Sequence, residues 1–175
     1  MAVTTRLVRL DDVPVLAELL RTNREFLAPW DPIRPDDYYT VEGHRAVIET
    51  VLEQQERGAA LPHVILDDDR IVGRITLNTI VRGPFQSCSL GYWVGAADNG
   101  RGVASAAVRE MVRVAFEEEG LHRVEASTLL HNFASQRVLQ RNGFVRFGVA
   151  PNYLSIAGQW QDHVLHQVIN ESTGA

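Results

Sequence analysis

One cysteine, Cys88, stands in 175 residues. No disulfide can close within the chain, and a reducing compartment is expected. An excess of basic charge is missing too: 17 Lys and Arg against 22 Asp and Glu give −5. Nucleic-acid binding draws its affinity from cationic side chains, so direct nucleic-acid binding is not expected. The balance mildly favours a basic protein or an amine as partner. No apolar run is long enough to span a bilayer and no leader-like segment opens the chain, so a cytoplasmic protein without membrane association is expected. Repeats and low-complexity segments are absent. The six histidines lack ligand spacing. His163 and His166 are three apart on a predicted strand and face opposite sides, and no metal site is expected.

What is present is an ordinary globular composition, 45% hydrophobic and 22% charged, in one domain spanning 1–175. Cys88, on an apolar strand, reads as a small core residue. The rest of the chain is organised around Leu90 to Ser105, LGYWVGAADNGRGVAS. Leu90 to Val94 suits a buried strand. Gly95, Gly100 and Gly102 punctuate a loop, and from Val103 the apolar positions Ala104, Val108, Met111, Val112 and Ala115 recur at helical spacing. Such a loop aims backbone N–H groups at one spot at the positive end of a helix, a place for phosphate. No Lys-Ser/Thr pair follows the glycines and the third glycine of a dinucleotide fingerprint is lacking, so neither of those motifs applies. A plain strand-to-helix turn with glycines for tightness fits the same spacing.

In chain order, Thr5 to Leu10 reads as a strand. Asp11 and Asp12 cap a helix that ends before Pro29. Three prolines forbid regular structure over residues 28–40, where Trp30, Ile33, Tyr38 and Tyr39 with Asp31 and Arg34 suit either one wall of a cleft or a loop packed on the core. Helix Val41–Arg57 stops at Gly58. Strands follow over Leu61–Leu66, Ile71–Ile80 and Gln86–Val94, then a helix from the glycine loop to about Glu119. His122–Thr128 is a strand expected to lie parallel to the glycine-loop strand. Asn132 caps a helix to Arg141, Phe144–Val149 and Trp160–Ile169 are the last strands, and NYLSIAGQ connects them. The order β-α-α-β-β-β-α-β-α-β-β implies a mixed sheet with helices on both faces.

Two stretches carry a resemblance. Asn99-Gly100-Arg101-Gly102-Val103-Ala104 looks like the Q/R-x-x-G-x-G/A pyrophosphate motif of the GNAT acyltransferases, with Asn at the first position. HNFASQRVLQRNGF, from His131 to Phe144, looks like their N-x-x-S segment ending in Gly-Phe. TNREFLAPWDPIRPD, VRGPF and YLSIAGQWQDHVL resemble the RimJ/RimL-type ribosomal-protein alanine N-acetyltransferases in particular. The resemblance covers nearly the whole chain. It implies an α+β fold in α/β/α layers: a mixed, mostly antiparallel seven-stranded sheet, split in a V and flanked by about four helices. A bulge near Gly91 to Trp93 would free backbone groups for a pantetheine arm.

The implied reaction is direct acetyl transfer from acetyl-CoA to a primary amine. The N-terminal amine of a protein, such as a ribosomal protein, is the leading acceptor. A small amine (a polyamine or an antibiotic) is the alternative, and a non-catalytic acyl-CoA-binding regulator is a third reading. Gly100, Arg101, Gly102, Val103, Ala104 and Ser105 would hold the pyrophosphate, with Asn99 beside them. A backbone N–H at Trp93 or Val94 would face the oxyanion. By resemblance Ser135 is the acid for the leaving thiolate, and Asn132 bonds the pantetheine arm. Each also has a plain structural reading, as a first-turn serine and as a helix cap. Asn152 stands where relatives carry a carboxylate, which leaves Asp162 as the nearby candidate base. Trp30, Arg34, Tyr38 and Tyr39, with Tyr153 opposite, would wall the acceptor cleft. The expected assembly is a monomer or a homodimer.

Overall fold

The computed structural model describes residues 2–173. Seven strands form one sheet in the order β1-β2-β3-β4-β5-β7-β6. They are β1 (Val3–Leu7), β2 (Leu61–Asp67), β3 (Arg70–Val81), β4 (Ser87–Val94), β5 (Arg123–Leu129), β6 (Val145–Ile156) and β7 (Gln159–Ile169). Five helices flank it: α1 (Val13–Thr22), the single turn α2 (Arg24–Leu27), α3 (Val41–Glu56), α4 (Val103–Arg113) and α5 (Phe133–Arg141). Two cores result, one per face. Val13 and Leu16 of α1 and Ile48 and Val51 of α3 pack with Val64 and Ile71. Val103, Ala107, Val108 and Met111 of α4 and Leu139 of α5 pack with Ile75, Leu77, Leu90 and Val124. Helices on both faces, expected from the order of elements, are what the chain forms.

The feature that positions the site is a failure of pairing. β4 and β5 are the parallel neighbours, and they pair only at Ser87 with Arg123, Cys88 with Val124 and Ser89 with Glu125. β4 continues to Val94 and β5 to Leu129 without further partners on that side, so the sheet opens into a V. The bulge lies elsewhere than expected. The β3–β4 ladder runs without a break from Leu77–Leu90 to Gly73–Val94, and its register shift falls between Asn78 and Val81, where Thr79 takes φ 51°. What frees the backbone of β4 is the departure of β5. The Gly95 N–H bonds the Val72 carbonyl. By the alternation of an antiparallel ladder, Gly91 and Trp93 therefore turn their main-chain groups to β3, while Tyr92 and Val94 turn theirs into the split.

Several boundaries differ from the sequence reading, for local reasons. Asp12 is spent before α1 starts: its carboxylate accepts the Arg9 N–H at 2.8 Å and both terminal nitrogens of Arg6 at 2.8 Å, closing the turn Leu10–Asp12. The first helix breaks at Asn23, whose side chain turns away to hold the Ala96 N–H at 2.8 Å. Residues 28–40 contain two 3₁₀ turns, Ala28–Trp30 and Asp36–Tyr39, in spite of the prolines. The chain beyond Arg113 widens into a π-type turn over Val114–Glu118. Most consequential is β6, which runs on through Asn152 to Ile156. The polar stretch read as a connection is strand, with a register shift between Ala150 and Leu154 and Asn152 at φ 48°.

Candidate active site

At the mouth of the V, Gly100 and Gly102 take φ of 75° and 85°. Both lie in the left-handed region that a side chain disfavours. Gly102 is the N-cap of α4, so the N–H groups of Val103, Ala104 and Ser105 emerge at the positive end of the helix without an intrahelical partner. Buried carboxylates fix the loop. Asp98, 3% exposed, takes Arg70 at 3.0 and 2.6 Å and Arg101 at 3.0 Å, and Arg101 also reaches Asp67 at 3.3 Å. The guanidinium of Arg70, followed by that of Arg101, holds the Asp98 carboxyl below the ordinary aspartate range. Arg101, expected to meet a phosphate, braces its own loop through these pairs. Asn142 ties α5 to the same turn by donating to the Ser105 carbonyl at 3.1 Å.

A cleft of about 550 Å³ runs from this loop through the split to the segment after α1. Asn99 and Ala104 line it at one end, and Trp93, Val94, Asn132 and Ser135 line its middle. Trp30, Arg34 and Tyr38 line the other end. A hollow of about 180 Å³ adjoins it at the foot of the V, where Thr128 and His163 meet Trp30, Asn132 and Ser135. The Asn132 side chain caps α5, accepting the Ser135 N–H at 3.2 Å. That bond points the first turn, and with it the Ser135 hydroxyl, into the split. There the Ser135 Oγ lies 2.7 Å from the Tyr92 phenol oxygen. Burial pushes the Tyr92 phenol up to about 12, which keeps it a proton donor at neutral pH.

The fold does not bring every expected residue together. Val103 is 1% exposed and contributes to the core, leaving only its N–H for a ligand. Tyr39 lines a separate hollow and lies under the Arg24 guanidinium at 4.2 Å. Tyr153, 45% exposed, packs on the His163 ring at 5.6 Å and lines neither the cleft nor the hollow beneath it. Asp162 also stands apart from the cleft. Its carboxylate is spent on the exposed Asn152 N–H at 2.9 Å, pinning the irregular part of β6, and it too lies outside both cavities. Sequence reading passed over Tyr92, Asp98 and Arg74 as site residues. Arg74, Thr76 and Asn78 alternate along β3, and all three line the cleft.

Residues 3–145 match the family model of the GNAT acetyltransferase domain. The chain belongs to the GNAT acetyltransferases. It is 40% identical over 150 residues to the probable N-acetyltransferase YjcK of Bacillus subtilis (strain 168), covering 85% of this chain and 83% of that one. It is 36% identical over 162 residues to the [ribosomal protein uS5]-alanine N-acetyltransferase of Escherichia coli (strain K12), covering 91% and 84%. Among solved structures, the ribosomal-protein-S5-alanine acetyltransferase from Vibrio fischeri superposes with TM-score 0.92 at 32% identity over 98% and 94% of the two chains. Mycobacterium smegmatis RimJ in complex with CoA-disulfide does so with TM-score 0.94 at 30% identity over 99% and 84%. The RimJ/RimL-type likeness read from the sequence, the split seven-stranded sheet and the acetyltransferase class are all upheld.

Proposed function

We propose that this acetyltransferase moves the acetyl group of acetyl-CoA to the α-amine of a protein N-terminus, a ribosomal protein being the acceptor class. The observation that carries the reading is the single continuous cleft, which joins the α4 N-terminus, Ser135 and the Trp30–Tyr38 segment. The relatives that act on ribosomal-protein alanine support the acceptor class. A cytoplasmic site of action accords with that acceptor. Among the described residues no helix is long and apolar enough to cross a membrane.

The residues present fit acetyl-CoA. The first-turn N–H groups of α4 suit its pyrophosphate. The edge of β4 at Tyr92 and Val94 offers main-chain groups to an amide-bearing pantetheine arm, as an added strand would require. An α-amine loses its proton near pH 7.7 to 8.0, so a useful fraction is already nucleophilic in a neutral solution, and water can take the second proton. This agrees with a cleft from which Asp162 is absent. The Val94 N–H faces the oxygen that gathers charge when the amine adds to the thioester carbonyl. Ser135 donates its hydroxyl proton to sulfur as the C–S bond breaks, Tyr92 restores that proton through the 2.7 Å bond, and solvent that has taken the proton released by the amine reprotonates the phenol.

The test is CoA release from acetyl-CoA with two acceptor sets: peptides beginning with Ala or Ser, and polyamines with amino sugars. Turnover on the peptides is expected. Turnover confined to the small amines would reassign the acceptor, and silence on both sets with intact CoA binding would point to a binding protein.

A further inference from the structure

Among the described residues, Arg74 is the partly buried arginine that the fold leaves without a carboxylate. All 17 basic side chains are arginine. Those near buried surface are matched to carboxylates, as in Arg6–Asp12, Arg70–Asp98 and Arg101–Asp67. Arg74 rises from the middle of β3 into the acceptor end of the cleft. Among the described residues it forms no ion pair, and its buried Nε has no hydrogen-bond partner. Its surroundings add positive charge or none. Arg34 lies with its guanidinium over the Tyr38 ring at 4.8 Å, His44 packs edge-on against Tyr38 at 5.3 Å, and Thr76 and Asn78 follow on the same face of β3. Asp31 is the one carboxylate on the cleft wall among the described residues, and Arg34 engages it at 3.4 Å. Burial and the Arg34 charge pull the Arg74 guanidinium below the usual arginine range.

A guanidinium withdrawn from water without a counter-charge is costly, and a two-oxygen acceptor matches its planar fork. We propose that Arg74 reads the acceptor, by binding a carboxylate that the acceptor carries within a few residues of the amine it presents. The proposal rests on the N-terminal acetyltransfer reading and names the acceptor's chemistry within it. The same charge works against polycations, because the second ammonium of a polyamine would meet Arg34 and Arg74 together. It also works in favour of the reaction, since a neighbouring cation lowers the pKa of the incoming amine and raises its neutral fraction.

The experiment uses the full chain, acetyl-CoA and three Ala-starting peptides that differ only in carrying Glu, Gln or Lys at residues two to four. The readout is kcat/KM by CoA release for the wild type, Arg74→Gln and Arg74→Lys. The chain has no lysine of its own, so acetyl-lysine found by mass spectrometry belongs to the peptide. In the wild type the Glu peptide exceeds the Gln peptide by about tenfold or more, the scale of a charge-assisted pair, and the Lys peptide ranks last. Arg74→Gln brings the Glu and Gln peptides level. Arg74→Lys, which keeps the charge without the fork, retains part of the preference. Each ratio compares two peptides on one enzyme, so a partial folding loss cancels. Equal wild-type rates for Glu and Gln, or a ratio unchanged in Arg74→Gln, overturns the proposal. Peptides that are all inert, alongside free α-amino acids acetylated in an Arg74-dependent way, keep the carboxylate and discard the protein N-terminus. Turnover on polyamines alone, or on no acceptor, discards both.

Discussion

The Tyr92 phenol and the Ser135 hydroxyl meet across the split of the sheet, oxygen to oxygen at 2.7 Å. One comes from the free edge of β4 and the other from the first turn of α5, so the bond exists only because β5 has left β4. In the proposed reaction this pair would serve as a two-step donor for the leaving thiolate, with Ser135 in front and Tyr92 behind. Ser135→Ala is expected to lower kcat about 100-fold, at the low end for a lost acid, with CoA affinity kept in calorimetry. Tyr92→Phe keeps the ring packed and loses only the hydroxyl, for about a tenfold loss in kcat. The double variant should be no slower than Ser135→Ala, because the two act in series. Losses that multiply would show that Tyr92 acts apart from Ser135.

The glycine loop is held from behind by Asp98. In Asp98→Asn the charge that Arg70 and Arg101 share is gone. Both arginines are about half exposed and regain water, so the loss of stability is expected at about 1–3 kcal/mol rather than that of a sealed pair. The more telling effect is on the ligand. Loosening the loop should raise the Kd for CoA about tenfold in calorimetry while leaving the KM for peptide unchanged. An unaltered Kd would separate the brace from the phosphate site.

His44 gives the fold an acid limb. Its ring is wholly buried, neither nitrogen has a hydrogen-bond partner among the described residues, and burial, with Arg74 and Arg34 nearby, holds it down to about 4. The unfolded chain takes up this proton near 6.5 and the folded chain only near 4. Between those values the unfolded state binds more protons, so stability rises with pH and is lost as pH falls through the window. The shift corresponds to at most about 3.5 kcal/mol. Urea unfolding at pH 5 and pH 8 should show His44→Leu gaining stability over the wild type at the lower pH relative to the higher. The same difference at both would contradict it.

Trp30 stands where the cleft and the hollow beneath it meet, its ring 5.4 Å from that of His131. Trp30→Ala is expected to raise the peptide KM about tenfold or more, with the KM for acetyl-CoA within twofold of the wild type. Equal losses for both would remove Trp30 from the acceptor wall.

The loop bend at Gly100 and Gly102 was readable because left-handed backbone asks for glycine at fixed places. That Asn132 caps α5 with Ser135 in its first turn was readable because a helix cap and its first turn lie together in sequence, whereas their place in the reaction came from the family resemblance. Tyr92 and Arg74 were not. On a strand an aromatic or a long cation at alternate positions looks like core or solvated face, and only the parting of β4 from β5 and the closing of α3 over Tyr38 decide otherwise. Asp162 was chosen for its proximity to Asn152, and the two do touch: the contact stitches β7 to a bulged β6. That bulge also hid the length of β6, since its left-handed Asn152 reads locally as a turn. Asp98 gave little local sign, because its two-bond partner Arg70 is 28 residues away and Arg101, three residues on, reads as an arginine for the ligand.

The most direct measurement is the site of acetylation on a peptide that offers both kinds of amine. A peptide beginning with Ala and carrying one internal Lys is incubated with the enzyme and acetyl-CoA, then sequenced by tandem mass spectrometry. The account predicts acetyl on the Ala α-amine and an unmodified lysine, with the product lost in Ser135→Ala. Acetyl on the lysine side chain, or α-acetylation undiminished in Ser135→Ala, would contradict it.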